Sequence, residues 1–234
     1  MRIKFLLTIV CSSFLFFSCE TLSKLPGYGT YTEGEAATAI RQALEQGTGR
    51  GISFLNKQDG FFGNEAYKLF LPEDARKVEN TLRQLGFGSM VDKAVLQINR
   101  AAEDAVGYAR PIFVDAIKEM TIQDAINIVK GSNDAATNYF REKTTNKLIA
   151  AFTPTIKSSL DKLNATKYYT DVINTYNKFP TTFNKINPDL PSYVVEKAVS
   201  ALFDQVAKEE ANIRANPAAR TTEILKKVFG GFGI

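Results

Sequence analysis

The stretch LPEDARKVENTLRQLG, residues 71–86, contains the signals that start and stop an α-helix. Pro72 suits a first helical turn, and the two acidic residues after it complement the positive end of the helix dipole. Val78 and Leu82 recur at the spacing of one helical face, and Gly86 follows where the pattern stops. The stretch therefore predicts an amphipathic helix that packs through one face.

The same punctuation recurs along the chain in both directions, and no segment shows the sustained alternation typical of a β-strand. The fold class is therefore predicted as all-α, a single bundle-like domain of about nine or ten helices. The loop at 180–191, which is rich in proline, could separate two subdomains, but one packed unit is favoured. The other helices are predicted at 35–46 (ended by Gly47), near 52–55, at 89–108, from Pro111, from Thr121 to Gly131, from Asn133 or Asp134 until just before Pro154, at 154–163, 165–179 and 192–214, and from Asn216 to Gly230.

The first eighteen residues read as a secretory signal. Arg2 and Lys4 are followed by an almost wholly apolar run over 5–17 and then by the small residue Ser18. The run is shorter than the roughly 20 apolar residues that a membrane-spanning helix needs. Because Cys19 comes next, the signal resembles a bacterial lipoprotein lipobox.

That resemblance implies cleavage before Cys19 and lipidation of Cys19 by acyl chains such as palmitate. The predicted organisation is a signal peptide at 1–18, the lipidated cysteine and a flexible tether rich in Gly, Pro and Thr at 19–34, and a helical domain at 35–234. Two or more acyl chains would anchor the protein stably to a membrane. Glu20, in place of the aspartate associated with inner-membrane retention, favours the outer membrane, facing the periplasm. The alternative is an ordinary signal peptide with Cys19 as an incidental free thiol.

Composition excludes several kinds of chemistry. The chain has no histidine, and of its two cysteines Cys11 lies in the signal and Cys19 would be acylated. Ser-His-Asp and Cys-His nucleophile systems and the usual zinc sites are therefore excluded. The net charge of +4 falls to about +2 without Arg2 and Lys4, which does not favour nucleic acid as a partner. We predict no metal site and no cofactor.

Five segments resemble the bacterial family catalogued as domain of unknown function 4197, and the resemblance covers about Ala36 to Gly230. It implies a helical envelope protein, often a lipoprotein, and it implies no activity and no catalytic residues. The segments are DGFF, RPIFVDAIKEMTIQDAINIVKG, NDAATNYFR, DLPSYVVEKAVSALF and EEANIRANPAARTTEILKKVFG.

Two groups of residues could form a polar site. Asn99, Arg100 and Glu103 lie within one helical turn, and Asp115 could meet an arginine if the next segment packs nearby. The simpler interpretation is a solvated face with salt bridges between helices.

The second group is Tyr139 and Arg141, which could form a pocket rim, although an aromatic residue at helical spacing more often packs in a core. Near the C-terminus, Glu210 and Arg214 form an i,i+4 pair. Arg214, Arg220, Lys226 and Lys227 make this end basic, which suggests either a solvated helix face or contact with anionic lipid headgroups or with the acidic face of a partner.

The leading hypothesis is a non-catalytic, lipid-anchored helical protein of the cell envelope that binds a partner protein or an apolar ligand between its helices. The competing hypothesis is an enzyme without histidine or cysteine, a hydrolase or lyase that uses a carboxylate pair such as Glu103 and Asp115. Whether these two carboxylates converge separates the two hypotheses.

Overall fold

The computed structural model of the protein describes residues 31–84, 86, 88–162, 164–178, 185 and 189–230. Cys19, the predicted signal, the tether as far as residue 30, and most of the proline-rich loop lie outside these residues. Within them the chain is all-α and contains no β-strand, as predicted. The α-helices are α1 (Glu33–Asn56), α2 (Arg76–Gln84), α3 (Gly88–Val106), α4 (Ala109–Glu119), α5 (Ile122–Lys130), α6 (Ala135–Lys162), α7 (Ala165–Asn177), α8 (Leu190–Ala215) and α9 (Glu223–Gly230), with short 3₁₀ turns at Glu73–Ala75 and Pro217–Ala219.

Four helices form the centre of the bundle. Helices α1, α3 and α6 all pack against α8, and α3 also packs against α1 and α6. Around them, α4 and α5 cover α1 and α6, α9 covers α1, and α7 packs on α6. The rings of Phe113, Phe140 and Phe203 meet in the core, with centroids 4.9 Å apart for Phe113 and Phe140 and 6.2 Å apart for Phe113 and Phe203. Burying each such ring stabilises the fold by about 1.5–3 kcal/mol.

Local helix signals predict several boundaries correctly. The stretch at 71–86 is a helix whose first turn is 3₁₀, and Gly86 follows it with the positive φ of 89° that glycine tolerates best. Thr121 begins α5 with a capping box to Asp124, and Gly131 ends that helix. A second capping box, which the sequence analysis did not single out, joins Thr32 to Glu35 at the start of α1. The last predicted helix starts later than expected, because residues 217–219 form a 3₁₀ turn and α9 begins at Glu223.

The prediction that Gly47 ends the first helix is wrong, and so is the separate helix predicted near 52–55. Helix α1 runs unbroken through both regions to Asn56. A Cβ atom on Gly47 would lie 3.3 Å from Cβ of Glu209, and one on Gly51 would lie 3.2 Å from Cβ of Gln205. These glycines therefore let α1 approach α8 closely. Interpreting a glycine only as the end of a helix overlooks this packing role.

The predicted break before Pro154 is also wrong, because α6 continues through this proline to Lys162. Pro154 is exposed, so the carbonyl four residues earlier, on the exposed residue Ala150, can bind water in place of the missing N–H. Phe152, Ile156 and Leu160 are buried on the opposite face and continue the helical stripe across the proline. Tertiary packing of this face outweighs the lost backbone hydrogen bond.

Among the residues that the structure describes, none of the helices is both long and apolar enough to cross a membrane.

Candidate functional site

The segment between α1 and the 3₁₀ turn at Glu73 is an unusually long irregular connection, which we call the α1–α2 loop (residues 57–72). Loops of this length without secondary structure are uncommon in compact domains and are often functional. The loop starts with a tight turn in which Asp59 has a φ of 64°. A Cβ on Gly60 would lie 2.3 Å from the carbonyl oxygen of Leu55, so this turn requires glycine. Phe61 then points into the core and is fully buried.

Glu103 of α3 holds the start of the loop. Its Oε1 accepts hydrogen bonds from the backbone N–H groups of Phe61 (3.1 Å) and Phe62 (3.2 Å), and its side chain is almost fully buried. Its Oε2 accepts a 2.6 Å bond from Nη1 of Arg100, whose Nη2 lies 2.7 Å from Oδ1 of Asp59. The bond with Glu103, assisted by the one with Asp59, raises the pKa of Arg100 against the opposing effect of desolvation. The buried carboxylate thus has a partner for both oxygens, as a buried charge requires.

Asn99, one turn before Glu103, holds the end of the loop. Its Nδ2 donates to the carbonyl oxygens of Leu69 (2.8 Å) and Val95 (2.7 Å), and its Oδ1 accepts from the N–H of Leu69 (2.8 Å). The side chain is fully buried. The amide of Asn99 therefore satisfies both backbone groups of Leu69, as the backbone of a neighbouring β-strand would.

Tyr67 attaches the middle of the loop to α8. Its hydroxyl donates to Oδ2 of Asp204 (2.5 Å) and accepts from Nε2 of Gln205 (2.6 Å) and Nζ of Lys208 (2.7 Å). Burial, together with the bond to Asp204, raises the pKa of Tyr67, so the phenol keeps its proton at neutral pH. Partial burial acts to raise the pKa of Asp204, but the bonds from Lys208 and Tyr67 outweigh it and lower that pKa overall.

An open groove lies between the α1–α2 loop and α8, and we call it the loop–α8 groove. Its volume is about 570 Å³, and Leu69, Leu71 and Ala201 are buried beneath it. Phe70 is 48% exposed at the groove, and its carbonyl oxygen accepts a 3.2 Å bond from the hydroxyl of Tyr193 on α8. A concave surface with apolar and polar groups of this kind is typical of a binding site.

The structure brings Asn99, Arg100 and Glu103 together on one helical turn, as the spacing indicates. Asn99 and Glu103 are buried instead of solvated, and their hydrogen bonds go to the loop. Asp115 does not join them: its side chain is 62% exposed and lies 3.7 Å from Nζ of Lys118. The hydrogen bonds of Glu103 occupy both of its oxygens, so the described geometry does not form the carboxylate pair that the enzyme hypothesis needs.

Tyr139 and Arg141 lie elsewhere, on α6. The hydroxyl of Tyr139 donates to the carbonyl oxygen of Ala116 over 3.4 Å, and burial raises the pKa of this tyrosine. Arg141 lies over the ring of Phe203, 4.8 Å from its centroid, and lines a second open groove between α6 and α8. No residue of the α1–α2 loop lines this second groove.

Glu210 has a structural role that the sequence analysis missed. Its carboxylate, reaching across from α8, accepts the N–H groups of Ala136 (3.0 Å) and Thr137 (2.9 Å) at the start of α6. Asp134 directly precedes α6, as predicted, and its carbonyl oxygen accepts the N–H of Asn138 (2.9 Å). Its side chain bonds to Ser132, so the free amides of Ala136 and Thr137 are bound instead by Glu210, a buried residue 74 positions after Ala136. The only sequence signal was the Glu210–Arg214 pair, which is a 2.9 Å salt bridge.

Part of the predicted basic C-terminal surface also faces inward. Arg220 is buried and donates to the carbonyl oxygens of Ile213 (3.1 Å) and Arg214 (2.8 Å), so it satisfies the end of α8. Arg214 donates to the carbonyl oxygen of Ile128 over 2.8 Å. Lys226 and Lys227 are more exposed and form ion pairs with Glu223 and Glu35.

The described residues contain no group of three or more His, Cys, Asp or Glu side chains placed to hold a metal ion.

By fold and site, the protein is an all-α domain in which hydrogen bonds hold the α1–α2 loop beside an open groove on α8. Residues 30–230 match the model of the family described as "Protein of unknown function (DUF4197)", and the chain belongs to that family. No curated protein and no solved structure matches the chain.

Proposed function

We propose that the protein is a lipid-anchored component of the cell envelope whose helical domain binds a partner protein at the loop–α8 groove. The anchor would be Cys19, after cleavage of the signal at 1–18, and the domain would face the periplasm from the outer membrane. Support for the anchor comes from the charged start, the short apolar run and the small residue before the cysteine.

One observation carries the binding role: buried polar side chains hold a long irregular loop in a single shape. Apart from the bond between Glu103 and Arg100, eight hydrogen bonds are made by the side chains of Asn99, Glu103 and Tyr67. Four of them join Asn99 and Glu103 to the backbone of the loop, three join the hydroxyl of Tyr67 to α8, and one joins Asn99 to Val95 within α3. A loop held in this way loses little conformational freedom on binding, which lowers the cost of association. The result of this rigid arrangement is an exposed Phe70 beside an open groove.

The pockets lined by the described residues favour a protein partner over an apolar ligand between helices. The cavity lined by Ile40, Leu44, Glu210 and Phe229 holds only about 20 Å³, which is room for about one water molecule. A drug-sized ligand needs a pocket of roughly 300 Å³ or more. Two larger spaces lined by described residues, each of about 570 Å³, are open grooves on the surface.

Acyl labelling tests the anchor. Cells that express the full chain are fed a palmitate analogue with a reporter group, and the purified protein is assayed for label. We expect label on the wild type and on Cys11→Ser but none on Cys19→Ser, because only Cys19 would survive cleavage. Label that persists on Cys19→Ser would contradict the anchor.

Site-specific crosslinking in intact cells tests the groove. A photoreactive amino acid replaces Phe70 in one variant and Ile122 of α5 in the other, two positions that are both 48% exposed. We expect a discrete crosslinked protein band from position 70 that is absent from position 122. Equal crosslinking from both positions, or none from position 70, would count against the groove as a protein-binding site.

A further inference from the structure

The acidic side chains of the loop–α8 groove already have basic partners within the protein. Glu73 lies 3.5 Å from Nη2 of Arg76. Asp204 lies 2.8 Å from Nζ of Lys208 and accepts the hydroxyl of Tyr67. An incoming ligand therefore meets little unpaired negative charge at these two positions.

The lysines of the groove have a different environment. Nζ of Lys68 lies 4.2 Å from the centroid of the Phe62 ring and 5.7 Å from that of Phe70. Nζ of Lys197 lies 5.7 Å from the centroid of the Tyr193 ring. Within the described part of the chain, neither ammonium forms an ion pair. Aromatic faces orient these cations but leave their N–H donors available to an anionic ligand.

The groove therefore combines two uncompensated cations with aromatic surface. We propose that its occupant is an acidic peptide segment of the partner protein, in which carboxylates flank an apolar side chain. The apolar side chain packs on Phe70 and Tyr193, while the flanking carboxylates bind Lys68 and Lys197. This inference rests on the proposed function and adds to it the chemistry of the partner.

A peptide fits this surface better than a membrane does. A flat lipid headgroup layer would meet the rim of the groove, whereas its apolar floor of Leu69, Leu71 and Ala201 is buried beneath the surface. A peptide can place its carboxylates at the lysines alone and keep its apolar residue between them. Complementary charges at such an interface set specificity and association rate more than total affinity.

The test measures binding of two fluorescein-labelled peptides to the full chain in detergent micelles by fluorescence polarisation. The peptides are EDFDE and its basic counterpart KRFRK. We expect saturable binding of EDFDE, weaker binding of KRFRK, and a loss of EDFDE affinity as salt rises. The double variant K68E/K197E should weaken EDFDE binding about tenfold or more, and K68M/K197M should give a smaller loss.

The matched control is K157E/K162E, which makes the same charge change at two exposed lysines of α6. It should leave EDFDE affinity within about twofold of the wild type, because neither lysine lines the groove and salt screens exposed charges that do not contact the peptide. Circular dichroism checks that each variant keeps its helical content. If K68E/K197E does not fold, the EDFDE affinity of K68M/K197M is compared with that of the wild type instead.

Three outcomes would overturn the inference: equal affinity for both peptides, equal loss in the groove and control variants, or binding to phosphatidylglycerol vesicles that needs Lys68 and Lys197 while EDFDE does not bind. Each of these can occur while position 70 still crosslinks to a protein in cells. In that case the proposed function stands and only the acidic-peptide chemistry is wrong.

Discussion

At the scale of single residues, buried polar side chains define the shape of the candidate site. Glu103 and Asn99 lie one turn apart on α3 and hold opposite ends of the α1–α2 loop. A buried carboxylate or amide stabilises a structure only when its partners are all in place, and it destabilises that structure strongly when one is removed. We therefore expect the loop to lose its geometry when either of these two side chains is removed.

Replacing Glu103 by alanine should destabilise the protein by about 3 kcal/mol or more, because it leaves two buried amides and Arg100 without their acceptor. Urea unfolding followed by circular dichroism measures the change. The control Asp115→Ala removes an exposed carboxylate and should shift the unfolding free energy by no more than about 0.5 kcal/mol. Similar losses in the two variants would mean that Glu103 does not hold the loop.

At the scale of elements, α1 and α8 meet at glycines. Gly47 and Gly51 are buried against α8, whereas a Cβ on Gly49 would have Nη1 of Arg110, at 3.9 Å, as its nearest neighbour. The three glycines share one helix but differ in what surrounds them. Substitution at each position therefore separates helix propensity from interhelical packing.

Gly49→Ala should stabilise the protein by about 0.5–1 kcal/mol, because alanine favours the helix and meets no close neighbour. Gly51→Ala gains the same propensity but forces Gln205 aside, and overpacking typically costs about 1–3 kcal/mol. We expect the Gly51 variant to be about 1 kcal/mol or more less stable than the Gly49 variant in thermal and urea unfolding. If both variants were equally stabilised, close packing of α1 on α8 would not be the reason for Gly51.

The start of α6 depends on α8 for its cap. Glu210→Ala should weaken that end by about 2 kcal/mol or more, because Ala136 and Thr137 lose the acceptors of their buried amides. Hydrogen exchange measured by NMR should show faster exchange at both amides. Asp134→Ala serves as the comparison and should leave their exchange nearly unchanged, since the Asp134 side chain bonds to those of Ser132 and Asn138 instead. Faster exchange only in the Asp134 variant would show that Asp134, and not Glu210, protects these amides.

At the scale of the whole molecule, α8 connects all the parts that matter for the site. It packs on α1, α3 and α6, caps α6 through Glu210 and binds the loop through Asp204 and Gln205. The loop–α8 groove therefore exists only when the bundle is assembled. Its stability should follow the protonation of the groups that join the loop to α8.

The bonds that Asp204 accepts from Lys208 and Tyr67 give a pH dependence with a defined sign. The native pKa of Asp204 lies below the ordinary value of 3.8, so the carboxylate contributes stability above that pH and loses it as the pH falls through the native pKa. Wild type should therefore be more stable than Asp204→Asn by a constant amount above about pH 5, and the difference should shrink below pH 3.8. Urea unfolding of both proteins at several pH values measures it. A difference that grew on acidification would contradict the lowered pKa.

Local patterns were enough for the fold class and many helix ends. The capping box at Thr121, the stop at Gly131 and the helix at 71–86 all depend on partners within four residues, so they can be read along the chain. The dipeptide Asp59-Gly60 is itself a turn signal, and the chain turns there, with Asp59 at a φ of 64°. The candidate site was predictable only in part, because the spacing grouped Asn99, Arg100 and Glu103 but did not indicate their partners.

Local patterns in the chain suffice to predict that this protein is helical, where most helices begin and end, and which faces are apolar. Packing between distant helices is what carries α1 through Gly47 and α6 through Pro154, and what places Glu210 as the cap of a helix 74 residues away. It also decided that Glu103 turns inward to the loop, 42 residues before it. The physical reason is that periodicity reports which side of a helix a residue occupies. What that residue contacts depends on how distant helices pack.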